Sequence, residues 1–160
     1  KGQLYEGGIR EPLIIKWPGV TEPNSVCNVP VISTDFYPTL LTIANCSQKP
    51  QQHLDGKDIT PLLKGSNNIG REAMFWYFPH YNFWNSFFVP VAAVREGDWK
   101  LIYFMEEEKY ELFNLKDDKE ENNNLIENFS DKSNKMKTVL KEWMEDVNAS
   151  EPKKNPYYCE

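Results

Sequence analysis

The chain has 160 residues, 40% of them hydrophobic, and a formal net charge of -6 at pH 7. This length and apolar content suit one domain or parts of two. The acidic balance, with no basic stripe, argues against a nucleic-acid role. No apolar run reaches the roughly eighteen residues of a membrane span, so we expect neither nucleic acid nor a membrane as a partner.

The cysteines and histidines do not predict a metal site. Cys27, Cys46 and Cys159 lack the spacing of a zinc site, and His53 and His80 do not complete one. We expect free thiols, with a disulfide between Cys27 and Cys46 as the alternative for an exported protein. We also expect the chain to begin within a domain, so the missing signal peptide leaves its localisation unknown.

The first nineteen residues combine a charged, glycine-rich loop with a short apolar run. Gly7 and Gly8 permit close backbone approach or positive φ angles. Residues 13–15, bounded by prolines, predict a buried strand of a parallel α/β sheet. Open α/β folds place anion-binding groups on loops beside such strands. Within this loop, Glu6 and Arg10 are expected to form an ion pair.

Residues 33–63 predict two helical segments. Ser33-Thr34-Asp35 is a helix start signal. The apolar side chains that follow repeat at helical spacing and predict a core-facing helix; they are Phe36, Leu40, Ile43 and Ala44. Residues 47–58 are polar and predict a loop in which His53 is exposed. Ile59 and Leu62 then anchor a short helix or turn.

A flexible run at residues 65–70 precedes a change to aromatic β structure. Strands are predicted at residues 73–78, 89–95, 98–104 and 109–115, with turns at Glu96-Gly97 and at residues 106–108. We expect an antiparallel sheet of about four strands. Trp99, Leu101 and Tyr103 should share one face, with Lys100 on the other.

A polar loop at residues 116–124, expected to be solvated, precedes the strongest helix signal in the sequence. Apolar residues from Met136 to Val147 recur at i, i+3, i+4, i+7, i+8 and i+11, behind a Ser130-Asp131 cap. A sheet with one apolar face and a helix with one apolar stripe are expected to cover each other.

Several motifs, in this order, resemble the sulfatase family. They are Lys-x(4)-Glu-Gly-Gly-x-Arg-x-Pro from residue 1, Ser-x-Asp-x-x-Pro-Thr-Leu from residue 33, Asp-Gly-x-x-x-x-Pro-Leu-Leu from residue 55, Phe-Trp-x-x-Pro-His-Tyr from residue 75, Arg-Glu-Gly-Asp-Trp-Lys-Leu-Ile from residue 95 and Tyr-Glu-Leu-Phe-Asn-Leu from residue 110. The resemblance implies an α/β (α+β) fold. Residues 1–66 would end a large alkaline-phosphatase-like domain, and residues 67–160 would form a small subdomain of about four antiparallel strands packed on one long C-terminal helix.

The resemblance also implies a sulfate ester hydrolase acting on a sulfated carbohydrate, another sulfated small molecule or an aryl sulfate. Lys1 matches the lysine that hydrogen-bonds the substrate's sulfate, a role suited to a compact cation with three donors. We predict that His80, Tyr81 and Trp84 contact the substrate, with His80 as a hydrogen-bonding group or proton donor. The alternative for His80 is a structural hydrogen bond beneath the aromatic loop.

The sequence lacks two parts of the family's chemistry. Sulfatases use a formylglycine made in a Cys/Ser-x-Pro/Ala-x-Arg motif, which does not occur here. Their Ca²⁺ ligands, pairs of hard oxygen donors, would lie upstream of Lys1. Asp117-Asp118 only superficially resembles such a pair because it falls in a polar loop. We therefore expect this chain alone to be inactive and to need the remaining N-terminal part of the sulfatase domain as its partner.

Two alternatives stay open from the sequence. One is a phosphoester or phosphonate hydrolase of the same superfamily. The other is a non-catalytic carbohydrate-binding module built on residues 70–148. By resemblance to the sulfatases, the parent protein would be periplasmic or secreted.

Overall fold

The computed structural model describes residues 3–81, 89–150 and 152–153. The chain divides into two compact units. Lys1–Glu11 and Ala73–Glu160 form the first, which we call the sheet unit, and Pro12–Glu72 form the second, the helical unit. The assignment of residues 1–66 to a larger α/β domain stays a prediction.

The sheet unit contains a four-stranded antiparallel sheet in the order β1-β2-β3-β4. Its strands are Met74–Phe78, Val91–Glu96, Trp99–Phe104 and Lys109–Asn114, numbered in chain order. The turn after β2 contains Gly97 at a φ of 58°, and the turn after β3 contains Glu108 at 51°. The predicted hairpins and their turns are therefore confirmed.

One face of the sheet, which we call the helix face, is covered by a long C-terminal helix, Ser130–Asp146. Met136 and Leu140 of this helix pack with Leu101 and Leu112 of the sheet. The Trp143 indole stacks on the Phe75 ring of β1, with ring centroids 4.7 Å apart. The predicted lid over an apolar sheet face is therefore confirmed, since both surfaces are removed from water together.

The opposite face, which we call the loop face, is contacted by the N-terminal segment. Leu4 is buried there with Ile102 and Phe113, and Tyr5 and Ile9 pack against the same cluster. A one-turn helix, α1 (Glu6–Ile9), forms within this segment. The sheet is thus enclosed by a helix on one side and by the glycine-rich N-terminal loop on the other.

The helical unit is organised around Asp35, which is fully buried. A 3-10 turn (Ser33–Asp35) leads into α2 (Phe36–Ile43), and α3 (Thr60–Leu63) follows. The Asp35 carboxylate accepts the N–H groups of Ile32 and Lys57, each at 2.8 Å, and pairs with the Arg71 guanidinium. These bonds satisfy a buried charge that would otherwise be costly.

Two predictions for the helical unit are wrong. Residues 13–15 do not form a strand, and among the described residues none pairs with them in a ladder; Leu13 and Ile14 are exposed. The stripe of α2 faces solvent, with Leu40 61% exposed. The buried side of α2 is instead the one that carries Pro38 and Thr39, and the Thr39 hydroxyl accepts the Ile59 N–H at 3.0 Å.

In the described part of the chain, no helix combines the length and apolar character needed to cross a bilayer. The three short helices have 4, 8 and 4 residues, and the C-terminal helix, which we number α4, has 17.

Candidate functional site

The loop that follows Lys1 is closely packed. Gly8 allows this packing, because a Cβ atom there would lie 2.1 Å from the Gln3 carbonyl oxygen. Gly7 faces open space by contrast, since a Cβ atom at that position would meet nothing within 4 Å. The Gly8 N–H donates to the Tyr5 carbonyl at 2.8 Å, and the Arg10 N–H donates to the Glu6 carbonyl at 2.9 Å. Gly8, and not Gly7, is therefore the glycine that the tight turn at residues 3–10 requires.

A buried ion cluster lies beneath this loop. The Lys100 ammonium is fully buried on the loop face, with Nζ 3.0 Å from Glu6 Oε1 and 2.9 Å from Glu121 Oε1. Arg95 Nη1 lies 3.7 Å from Glu6 Oε2. Glu121 also accepts the backbone N–H of Glu6. Two carboxylates thus face two cations, which is the condition for burying charge at acceptable cost.

The cluster corrects two expectations. Glu6 pairs with Lys100 and Arg95 rather than with Arg10, because the α1 turn directs its carboxylate into the sheet. The loop at residues 116–124 is not wholly solvated, since Glu121 is buried. Glu121 has a φ of 55°, in a turn where the Asp118 carboxylate accepts the Asn123 N–H at 2.8 Å.

A second polar contact holds the loop at Tyr5, the residue before Glu6. The Tyr5 hydroxyl donates to Glu111 Oε2 on β4 at 2.5 Å. Burial, followed by this bond to a carboxylate, raises the pKa of Tyr5 above its ordinary value of 10.0. Tyr5 therefore stays protonated as a donor through the physiological range.

The predicted substrate residues are partly within the described structure. His80 and Tyr81 follow β1 and are exposed, with Tyr81 at 60%. The His80 ring meets the Phe78 ring edge-on, with centroids 5.5 Å apart. Phe78 packs against the loop-face cluster, as does Tyr5. Lys1 and Trp84 lie outside the described residues.

The structure thus brings together two elements that are distant in sequence. The loop that begins at Lys1 and the strand end that carries His80 both adjoin the loop face, opposite α4. The roles of Lys1, His80, Tyr81 and Trp84 stay predictions.

The residues that the structure describes do not form a calcium site. Among the described residues, no group of three His, Cys, Asp or Glu side chains is arranged to hold a metal. Asp118 instead caps its own turn, where the Asn123 N–H is the main cause that lowers its pKa. Cys27 and Cys46 are exposed free thiols, so the alternative disulfide between them does not form. His53, expected to be exposed, is half-buried with its ring against Tyr37.

Comparison with known proteins supplies the family. Residues 1–150 match the family model described as N-sulphoglucosamine sulphohydrolase, C-terminal. The chain belongs to this sulphohydrolase family. The sulfatase resemblance carried by the sequence motifs is therefore confirmed.

Relatives of this sulphohydrolase segment are sulfatases. A sulfatase from Formosa agariphila is 40% identical over 162 residues, which is 93% of this chain and 29% of that protein. Human arylsulfatase A is 39% identical over 104 residues, which is 65% of this chain and 19% of that protein. The sulphohydrolase segment thus spans less than a third of the length of these relatives.

A solved structure has the same fold. It is a protein in complex with its substrate D-glucosamine-2-N,6-O-disulfate, with a TM-score of 0.72 and 22% identity over 87% of this chain and 29% of that one. A likeness at this identity supports the fold, and with the observed sheet and helix it confirms the predicted fold class.

Sequence reasoning missed Lys100 and Glu121 as partners in the site. A signal for Lys100 was present, because this lysine alternates with Ile102 and Phe104 on an apolar face of β3. A charged residue in such a position implies a buried partner of opposite charge. Nothing local distinguishes Glu121 from the other acidic residues of its loop.

Proposed function

We propose that this chain is the carboxy-terminal part of an enzyme that hydrolyses the sulfate ester of a sulfated carbohydrate. The observation that carries the proposal is the family match across residues 1–150, which includes the motif headed by Lys1. The description of the matching family model, N-sulphoglucosamine sulphohydrolase, supports a sugar as the substrate.

In this proposal, the Lys1 ammonium binds the sulfate group. Negative charge builds on the sulfate oxygens as the S–O bond breaks. A nearby cation that is already in position lowers the barrier because it does not have to reorganise. The packing of Leu4 and Glu6 on the loop face supports a fixed course for this loop. Lys1 would then need little rearrangement to meet the substrate.

The end of β1 would contact the sugar. His80 and Tyr81 are exposed and lie beyond Phe78, on a strand whose register is fixed by pairing with β2. An exposed imidazole can donate or accept a hydrogen bond near neutral pH, and aromatic rings suit the apolar faces of sugars. We extend the same role to Trp84, in the loop that follows.

The nucleophile and the metal would come from the rest of the protein. A formylglycine would supply the nucleophile and Ca²⁺ would supply charge stabilisation, but this sequence holds neither the modification motif nor a fitting ligand group among its described residues. By its family, we place the parent protein in the periplasm or outside the cell.

The remaining part of the sulfatase domain would cover the exposed stripe of α2. Phe36, Leu40 and Ile43 recur at i, i+4 and i+7, and each is more than a third exposed. A solvent-facing apolar stripe of this kind marks an interaction surface. The relatives are more than three times as long as the matched segment, so they contain ample chain to cover it.

The test is sulfate release by the full-length protein from O-sulfated glucosamine, with glucosamine phosphates as the phosphoester alternative. We expect Lys1→Ala to lower kcat/KM about 10²- to 10³-fold, the usual loss when one charge-stabilising donor is removed. Lys16→Ala, at an exposed lysine of the same segment, should have no effect. Full activity of Lys1→Ala, or a preference for the phosphates, would contradict the proposal.

The 160-residue chain alone should not turn over 4-nitrophenyl sulfate. A glycan array on this chain, with Trp84→Ala as the control, addresses the carbohydrate-binding module. Specific, tight binding that Trp84→Ala abolishes, without activity of the full-length protein, would support the module instead of the enzyme.

A further inference from the structure

The buried ion cluster needs an explanation beyond stability. Exchanging a buried ion pair for apolar side chains is often neutral or even stabilising. Ile102 and Phe104, the next residues on the same face of β3, belong to an apolar cluster in which an apolar residue at position 100 would also be at home. A fully buried Lys100 therefore points to a geometric role.

The geometry that Lys100 fixes is that of the N-terminal loop. Its ammonium contacts Glu6 of α1 and Glu121 of the turn after β4, so it joins three segments far apart in sequence. Glu121 in turn accepts the Glu6 N–H, so both the backbone and the side chain of Glu6 are held. Glu6 cannot move along the sheet without separating buried charges, a strongly unfavourable change.

Neighbouring contacts restrain the same loop from other directions. Leu4 is buried in the loop-face cluster, Tyr5 is hydrogen-bonded to Glu111, and Gly8 packs against Gln3. Lys1 precedes Glu6 by five residues, a separation that extended chain spans in at most about 18 Å. The cluster therefore fixes Glu6, the point from which the chain runs back to Lys1.

We propose that Lys100 is a positioning residue for sulfate ester hydrolysis, which acts through Glu6 on the placement of Lys1. The inference rests on the proposed function of Lys1. Lys100 itself touches no substrate, because it is enclosed by Glu6, Glu121 and the sheet. In this proposal Lys100 contributes to catalysis by keeping the Lys1 ammonium in place before negative charge builds on the sulfate oxygens.

The experiment is a double-mutant cycle in the full-length enzyme, using Lys100→Met, Lys1→Ala and the pair, with steady-state kinetics on sulfated glucosamine. We expect Lys100→Met to lower kcat about 10- to 100-fold, the scale of a displacement of about 1 Å at a reacting centre. KM should change less than about 3-fold, because the interaction is made mainly in the transition state. In the Lys1→Ala background, Lys100→Met should cost less than about 3-fold more.

A matched control separates positioning from general loss of stability. Leu140→Ala removes a buried side chain from the helix face, on the other side of the sheet from the cluster. It should lower Tm by an amount comparable to that of Lys100→Met, yet leave kcat unchanged when assayed well below Tm. If Leu140→Ala lowers kcat in the same proportion, the effect of Lys100→Met is structural and the inference is overturned.

The remaining outcomes are distinct. A folded Lys100→Met enzyme with wild-type kcat, or a loss that multiplies with that of Lys1→Ala, overturns the positioning role and leaves the proposed function intact. Full activity of Lys1→Ala overturns both. If Lys100→Met does not fold, Arg95→Met at the rim of the cluster replaces it, with an expected loss in kcat of about 3- to 10-fold that disappears in the Lys1→Ala background.

Discussion

Gly7 and Gly8 are adjacent in one short helix, yet the structure predicts opposite outcomes when each is replaced by alanine. Both occupy α1, and neither has a positive φ. Alanine at either position should gain the same small advantage over glycine in a helix, about 0.5–1 kcal/mol. Because this term is common to both variants, the difference between them isolates the packing of the added methyl group.

The structure gives the size of that difference. At Gly7 the methyl group meets open space, so Gly7→Ala should be neutral or stabilising by up to about 1 kcal/mol. At Gly8 it would lie 2.1 Å from the Gln3 carbonyl oxygen, and ordinary contact begins at 3.4 Å, so backbone must move against backbone. Overpacking of this kind costs about 1–3 kcal/mol. Gly8→Ala should therefore be less stable than Gly7→Ala by about that amount.

The assay is urea and thermal unfolding of both variants, with amide hydrogen exchange as the local probe. About 1 kcal/mol corresponds to about 2–4 °C in Tm for a chain of this size. The Arg10 N–H, which donates to the Glu6 carbonyl, should lose protection in Gly8→Ala and keep it in Gly7→Ala. Equal stability and equal Arg10 protection in the two variants would refute the packing argument.

Three further predictions concern stability. Tyr5→Phe should cost about 1 kcal/mol at pH 7 by removing the hydrogen bond to Glu111. Because the pKa of Tyr5 is raised above 10.0, this stabilisation is complete below pH 10 and is lost as the pH rises further. Urea unfolding between pH 7 and 11 should therefore show the difference in stability between wild type and variant shrinking, and a constant difference would contradict the prediction. Leu140→Ala should lower the free energy of unfolding by about 2–5 kcal/mol. Val147 is 45% exposed at the end of α4, so Val147→Ala should lower it by less than about 1 kcal/mol. Calorimetry measures both, and comparable losses would show that the stripe does not pack as described. Asp35→Asn should cost about 3–5 kcal/mol in chemical unfolding because it leaves a guanidinium without its buried partner, and a loss below about 1 kcal/mol would argue against that pair.

The sheet and its covering helix could be predicted because their signals are local and repeated. Alternating side chains in β3, a glycine turn at Gly97 and a helical repeat of apolar residues in α4 each specify one element. Each element also needs the other, since an apolar sheet face and an apolar stripe are both unstable in water. Agreement between local pattern and tertiary packing is the reason that this half of the chain was predicted correctly.

The errors arose where a local sequence pattern does not specify which surface the element packs against. The α2 stripe was correctly placed on a helix, but the same pattern suits packing within the chain or against another part of the protein. The apolar run at residues 13–15 has a strand-like composition, yet a strand requires a hydrogen-bonded neighbour, and none of the described residues provides one. The Glu6–Arg10 pair was suggested by proximity in sequence, whereas burial of Glu6 directs it to Lys100.

The sequence by itself determined the elements of the sheet unit and the sulfatase resemblance, because each depends on residue types at fixed short spacings. Only the tertiary structure decided that Lys100, Glu6 and Glu121 meet, with 94 residues separating the first two. Burial of a charge depends on which distant groups the fold brings within about 3–4 Å of it. That condition is set by the packing of the N-terminal loop on the sheet, which no local pattern in the chain encodes.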